Sequence, residues 1–159
     1  MPSNTEVKYK FKGWEQVKIN LENQANLVTK IGIFSDHAKR EEGELTNVEI
    51  GIKHEFGSFS EKIPRRSFLK EPLVLKRKEL LKKIEKNIKA NFDKVGGAER
   101  SAAILGVYAE AIVQEGFATG GYGRWKPLSP KTVAIKGNSQ ILIDTSQLRK
   151  SIISKVEKR

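Results

Sequence analysis

Asp36, His37 and His54 are the side chains of this sequence best suited to proton transfer or metal binding. Asp36-His37 supplies half of a metal or acid–base pair, but it lies in a charged stretch that reads as an exposed loop. His54 follows in a different context, close to the end of a short helical stretch, where an imidazole suits the helix dipole. Two histidines do not make a zinc site, which takes three or four ligands, and the chain has no cysteine to complete one. The run Gly116-Phe117-Ala118-Thr119-Gly120-Gly121-Tyr122-Gly123 has the glycine content of a phosphate-binding loop. Such a loop follows a strand and runs into Gly-Lys-Ser/Thr at the start of a helix; here a helical stretch precedes and Arg124-Trp125-Lys126-Pro127 follows. No serine or threonine has a recognisable base and orienting carboxylate. The expectation is a protein that is not an enzyme, with no catalytic residue, no cofactor and no metal. A small hydrolase or nuclease built on Asp36, His37 and His54 is the last of three readings.

A chain of 159 residues suits one domain, 1–159. At that length folding buries roughly 70% of the chain's surface, so no disulfide or metal is needed to hold it. Hydrophobic residues make up 38% and charged residues 31%, a polar but globular balance. No apolar run approaches the roughly 18–20 residues of a membrane span. Met1-Pro2-Ser3-Asn4-Thr5-Glu6 lacks the apolar stretch of a secretory signal, so the expected protein is soluble and stays where it is made. The formal net charge is +11, which favours anionic partners: nucleic acid, an acidic protein face or a membrane surface.

Trp14, Val17, Leu21, Ala25 and Val28 recur at spacings of three and four, predicting a helix over 13–28. Val28 to Phe34 reads as a strand. Asp36 to Thr46 reads as an exposed loop, and Thr46 or Asn47 caps a short helix with Val48, Ile52 and Phe56 on its inner face and Gly57 as its stop. Pro64 marks the loop 58–67. From Leu69 to Val95 the spacing predicts one long helix, with Pro72 in its first turn and a stripe of Leu73, Leu80, Leu81, Ile84, Ile88, Phe92 and Val95. Gly96-Gly97 breaks it, and a second helix over 98–117, rich in small residues, completes a hairpin as its more buried arm. Gly116 to Pro130 predicts a flexible loop interrupted by Trp125 and Leu128. Ser129 or Lys131 opens a short helical turn, Ile141-Leu142-Ile143 reads as a strand, 145–148 as a turn capped by Asp144 or Thr145, and 151–156 as a last strand. Segregated helices and strands predict an α+β fold: a small antiparallel or mixed sheet packed against a long helical hairpin, with extended loops near 35–46 and 116–130.

Lys76, Arg77, Lys78, Lys82, Lys83, Lys86 and Lys89 share the face opposite the apolar stripe. Phosphate contacts need positive charge and no fixed sequence, so this face is the candidate contact for an anionic partner, with Lys76, Arg77, Lys82, Lys83, Lys86 and Lys89 as its residues. Glu79 and Glu85 are helical neighbours able to pair with Lys82, Lys83 and Lys89, which gives a solvated face as the competing reading. No aromatics interleave with these lysines, as a platform for stacking bases would require.

Three ordered segments carry a resemblance. The first is Ile31-Gly32-Ile33-Phe34 and, after a gap, Val48-Glu49-Ile50-Gly51-Ile52-Lys53-His54-Glu55-Phe56-Gly57. The second is Ile63-Pro64-Arg65-Arg66-Ser67-Phe68-Leu69. The third is Gly123-Arg124-Trp125-Lys126-Pro127-Leu128-Ser129-Pro130-Lys131-Thr132, continuing to Ile141-Leu142-Ile143-Asp144-Thr145-Ser146-Gln147-Leu148-Arg149-Lys150-Ser151-Ile152. Together, with the helical hairpin between them, they resemble the phage virion-morphogenesis and tail-completion (neck) proteins, the Mu G-like and minor-tail-protein-Z-like group, over most of the chain beyond residue 28. The family usually carries glycine where this chain has Ser146, and often a second proline where it has Ser67. The motif positions for packing and assembly are Glu55, Phe56, Gly57, Pro64, Arg65, Phe68, Trp125, Leu128, Thr132, Leu142, Thr145, Leu148 and Ser151. From the residues alone, Phe56 reads as an aromatic anchor, Pro64 and Phe68 as a pin for the long helix, and Trp125 and Leu128 as the dock of the loop.

The resemblance implies a structural protein of tail completion or head–tail joining, located in the virion neck or tail and in the host cytoplasm during assembly. It implies a homo-oligomeric ring, six-fold favoured, touching neighbouring neck or tail proteins and no membrane. The second reading, a basic nucleic-acid-binding protein, overlaps with it through non-specific DNA contact, since a neck ring surrounds a DNA channel.

Overall fold

The computed structural model describes residues 13–40 and 44–159. The first six residues, read above for a signal, and positions 41–43 of the loop predicted at 35–46 lie outside the described residues. Along the chain run helix α1 (Trp14–Asn26), strand β1 (Leu27–Ile33), a 3₁₀ turn (Ser35–His37) and helices α2 (Asn47–Phe56), α3 (Lys70–Leu75), α4 (Arg77–Asn91), α5 (Gly97–Ala118), α6 (Pro130–Lys136) and α7 (Gln147–Lys150). Strand β2 (Ile152–Lys158) closes the order. The fold is α+β, as the segregation of periodicities predicts.

The described strands form one antiparallel pair, in register from Leu27 opposite Lys158 to Ile33 opposite Ile152. A two-stranded ribbon is marginal by itself and needs a helix beneath it. That helix is α5, which packs against both strands, against α1 and α3, and along α4. Its small residues make the approach possible. A Cβ on Gly106 would lie 2.2 Å from Ser154 Oγ, so the ribbon rests directly on the helix backbone there. The same small-residue face buries Ala98, Ala102 and Ala109.

Three expectations are corrected. The helix predicted from Leu69 to Val95 is two helices and a turn. It breaks at Lys76, whose backbone (φ −93°, ψ 10°) leaves the helical region. The break lets α3 press Pro72 onto α5 at Gly116, where a Cβ would come within 2.9 Å of the ring, while α4 runs along α5. The apolar stripe is only partly covered: Leu81 is 52% and Val95 82% exposed.

The strand predicted at 141–143 is a turn, because Leu142 takes φ 58°, outside the strand region. Its three apolar side chains are accounted for by partial burial against the core. On α2, the inner face is not Val48, Ile52 and Phe56. Asn47, Gly51 and Glu55 are buried there, while Ile52 and Phe56 face solvent. The apolar period signals a helix but misplaces its buried side, because this side is held by polar bonds.

The core gathers Phe68, Val113, Phe117, Trp125, Leu148 and Ile152, flanked by Ile31, Ile33 and Ile50. Phe117 stands 5.3 Å from Phe68 and 5.8 Å from Trp125 between ring centroids, edge-on to the latter. Both separations fall in the favourable range for aromatic pairs.

Candidate interaction surfaces

Glu55 is the most connected motif residue. Thr46 caps α2 with a reciprocal box, its hydroxyl accepting from the Glu49 N–H while the Glu49 carboxylate accepts from the Thr46 N–H. Two turns later α2 presents Glu55, buried, toward the start of α3. Its carboxylate accepts from Ser67 Oγ (2.6 Å) and from the backbone N–H groups of Phe68 (2.9 Å), Leu69 (3.0 Å) and Lys70 (3.1 Å). Ser67 Oγ in turn accepts from the Glu71 N–H at 3.1 Å. The free donors at the start of a helix are thus satisfied by a carboxylate from another helix, which also meets the positive end of the dipole. Ser67 is itself one of the connecting links.

Gly57 ends α2 at φ 80°, and a Cβ there would sit 3.0 Å from the Arg65 nitrogen. Only glycine fits both the left-handed backbone and this approach. Arg65 donates from Nε to the Glu55 carbonyl and pairs with Glu71 at 2.9 Å. Pro64 is half-buried beside it, and Phe68 is pinned in the core as predicted. Phe56, read as an aromatic anchor, is 70% exposed; the carboxylate beside it is the anchor instead.

The glycine-rich segment after α5 is a succession of turns. Gly120, Gly121 and Gly123 all take positive φ, and Trp125 packs so tightly on Gly121 that a Cβ there would fall 2.2 Å from the indole nitrogen. That nitrogen donates to the Ser67 carbonyl at 3.3 Å. Tyr122 donates to the Ile112 carbonyl and the Glu115 carboxylate, and burial with the nearby carboxylate pushes its phenol pKa well up. Trp125 therefore docks the segment, as the sequence predicts. Leu128 is half-buried beyond it. Ser129 caps α6, accepting from the Thr132 N–H at 3.1 Å, and its hydroxyl meets that of Thr132 at 2.8 Å.

Past α6, neither Asp144 nor Thr145 caps α7. The cap position is Ser146, whose side chain makes no capping hydrogen bond among the described residues and whose φ is 61°. Leu148 reaches the core and Ser151 is buried, its hydroxyl donating to the Leu148 carbonyl at 2.8 Å.

These segments enclose a cleft of about 580 Å³ between α2, α6 and the α7 turn. Leu128, Thr132, Leu142, Thr145 and Leu148, five of the motif positions, line it, together with Arg40, His54, Arg66, Lys136 and Asp144. Arg66 is 6% exposed. Its Nε and Nη2 donate to the Lys126 carbonyl at 3.1 and 3.0 Å. Burial lowers its pKa, and no carboxylate among the described residues pairs with it. The buried Nδ1 of His54 has no hydrogen-bond partner among the described residues. Burial, followed by the charge of Arg66, holds the imidazole pKa below its ordinary value, so it is neutral at neutral pH. Arg66 and His54 belong to the quoted segments, but no spacing rule signalled that they meet across a cleft.

The basic face is divided. Lys76 reaches Glu79 (3.3 Å) and the Tyr122 ring (5.3 Å), Lys83 lies 4.6 Å over the Tyr108 ring, and Lys89 pairs with Glu85 at 2.6 Å. Arg77, Lys82 and Lys86 are exposed and form no ion pair among the described residues. Asp36 pairs with Lys155 at 2.8 Å, a bond that lowers its carboxyl pKa, and lies 3.9 Å from His37. His54 lines a different cleft from those two. Among the described residues no group of three or more His, Asp or Glu side chains could hold a metal ion. No helix among them is long and apolar enough to cross a membrane. No protein-family model, curated protein or solved structure matches the chain.

Proposed function

We propose that this chain is a structural protein of tailed-phage particles, acting in tail completion or head–tail joining as one subunit of a ring, six-fold by preference. The observation that carries the reading is the ordered motif set, whose members pack as one unit: Glu55 and Ser67 start α3, Trp125 bonds to Ser67, and the segments around 128–132 and 142–148 wall one cleft. A further support is Ser146. The family usually has glycine there, and the backbone takes the left-handed conformation that favours glycine. Head-to-tail contacts between identical subunits close into rings when the rotation allows. The protein joins particle parts by shape and charge and catalyses no reaction. Disrupting its gene is expected to yield particles without joined, infectious tails; unchanged infectivity contradicts the proposal.

The basic α4 face favours a second reading, nucleic-acid contact, through Arg77, Lys82 and Lys86, which form no ion pair among the described residues. Three phosphate contacts predict a fall in log affinity for a DNA duplex with log salt of slope about −2.7. Duplex binding unchanged between low and moderate salt eliminates it.

A further inference from the structure

We infer that the cleft between α2, α6 and the α7 turn is a docking site for an acidic, apolar-flanked segment of a different protein chain. Its walls combine two chemistries. Ile50, Leu128 and Leu142 give it an apolar lining, while the Arg66 guanidinium and Lys136 supply positive charge. Among the described residues Asp144 is the one carboxylate lining it, beside Arg66 and Lys136. Arg66 is the decisive side chain. It is held rigidly by the 126–127 carbonyls, through Nε and Nη2 alone, so its Nη1 makes no hydrogen bond among the described residues. A buried guanidinium without a carboxylate is costly, and a carboxylate entering the cleft supplies the missing charge-assisted bond.

The occupant follows from charge and shape. A phosphodiester backbone offers no apolar group to meet the leucines and isoleucine, and a duplex does not enter a cleft of about 580 Å³. A second copy of this chain carries +11 itself, so charge complementarity favours another, acidic protein. A glutamate or aspartate reaches Arg66 and Lys136, and a neighbouring apolar side chain covers Leu128 and the outward Ile135, which is 80% exposed. A carboxylate docked beside His54 also raises the imidazole pKa, reversing the effect of burial.

The inference rests on the assembly reading for the source of its partner, while its chemistry is testable without particles. The full chain is applied to an array of randomised heptapeptides. Expected is enrichment of peptides pairing Glu or Asp with an adjacent apolar residue. The best binder should weaken about tenfold with Lys136→Glu, and again when its acidic residue is replaced by the amide. Ile135→Ser, at an exposed position that leaves the fold intact, should weaken it less and remove the apolar preference. Selected peptides without acidic enrichment, or enrichment that survives Lys136→Glu, overturn the inference. So does a DNA duplex that displaces the peptide and binds wild type and Lys136→Glu equally. Loss of infectivity on gene disruption combined with no acidic enrichment leaves the assembly reading standing and this docking site refuted; the reverse pattern separates them the other way.

Discussion

The two ends of the molecule are held by different forces. Around Glu55 and Trp125, large side chains and charged hydrogen bonds are buried together: Phe117 is 2% exposed, Phe68 3% and Trp125 6%, beside a carboxylate with four donors. At the far end, where α1 meets the α4–α5 turn, Trp14, Leu21 and Phe92 remain largely exposed and the buried side chains include Asn20 and Asn91. That end is held by amides. Asn20 Nδ2 donates to the Phe92 and Lys94 carbonyls at 2.8 and 2.7 Å, and Gly97 approaches so closely that a Cβ would lie 1.9 Å from the Asn91 carbonyl oxygen. Large apolar residues in sequence therefore do not mark the core here. Buried ring contacts and charged hydrogen bonds concentrate where the motif segments meet.

That contrast can be broken most forcefully at Glu55. Glu55→Ala leaves one hydroxyl and three backbone donors without their acceptor, and a buried unsatisfied donor costs about 1–3 kcal/mol. Allowing for partial access of water, unfolding free energy should fall by about 3–5 kcal/mol in urea titration, and by less in Glu55→Gln. Trp125→Ala should cost about 3–5 kcal/mol, as for other buried aromatic truncations. Leu21→Ala at the far end, where the side chain is 60% exposed, should cost under about 1 kcal/mol. Equal losses at the two positions would erase the distinction. Ser146→Gly should stabilise by about 1 kcal/mol, because the left-handed backbone is unfavourable for serine; a fall in thermal midpoint would contradict the turn geometry.

The smallest effect concerns pH. Burial depresses the pKa of His54 below its ordinary 6.5, so the unfolded chain binds that proton more tightly. The contribution of His54 is thus neutral above pH 6.5 and destabilising as pH falls below it. His54→Gln should flatten the stability profile between pH 6.5 and 5; an unchanged slope would place the titration elsewhere.

Much of the fold was legible because its signals are local. The periodicity of 13–28, the capping Thr46, the glycine pair at 96–97 and the small residues of α5 each specify an element or its end within a few residues. What was illegible depends on distant contacts. Nothing near Lys76 announces a break that serves the packing of Pro72 on Gly116, and Ile141-Leu142-Ile143 has strand composition while its apolar groups are buried through a turn. The importance of Phe56 was overstated for the same reason: its neighbour Glu55 does the anchoring, through donors more than ten residues away in sequence. The positions that line the cleft were in view as motif members; their convergence with Arg66 and His54 was not.

The central claim is that this protein works as a built-in part of an assembled particle. Electron microscopy of purified particles carrying gold-labelled chain tests it most directly. Label concentrated at the joint between head and tail is the predicted result, and a particle fraction free of the protein would contradict it.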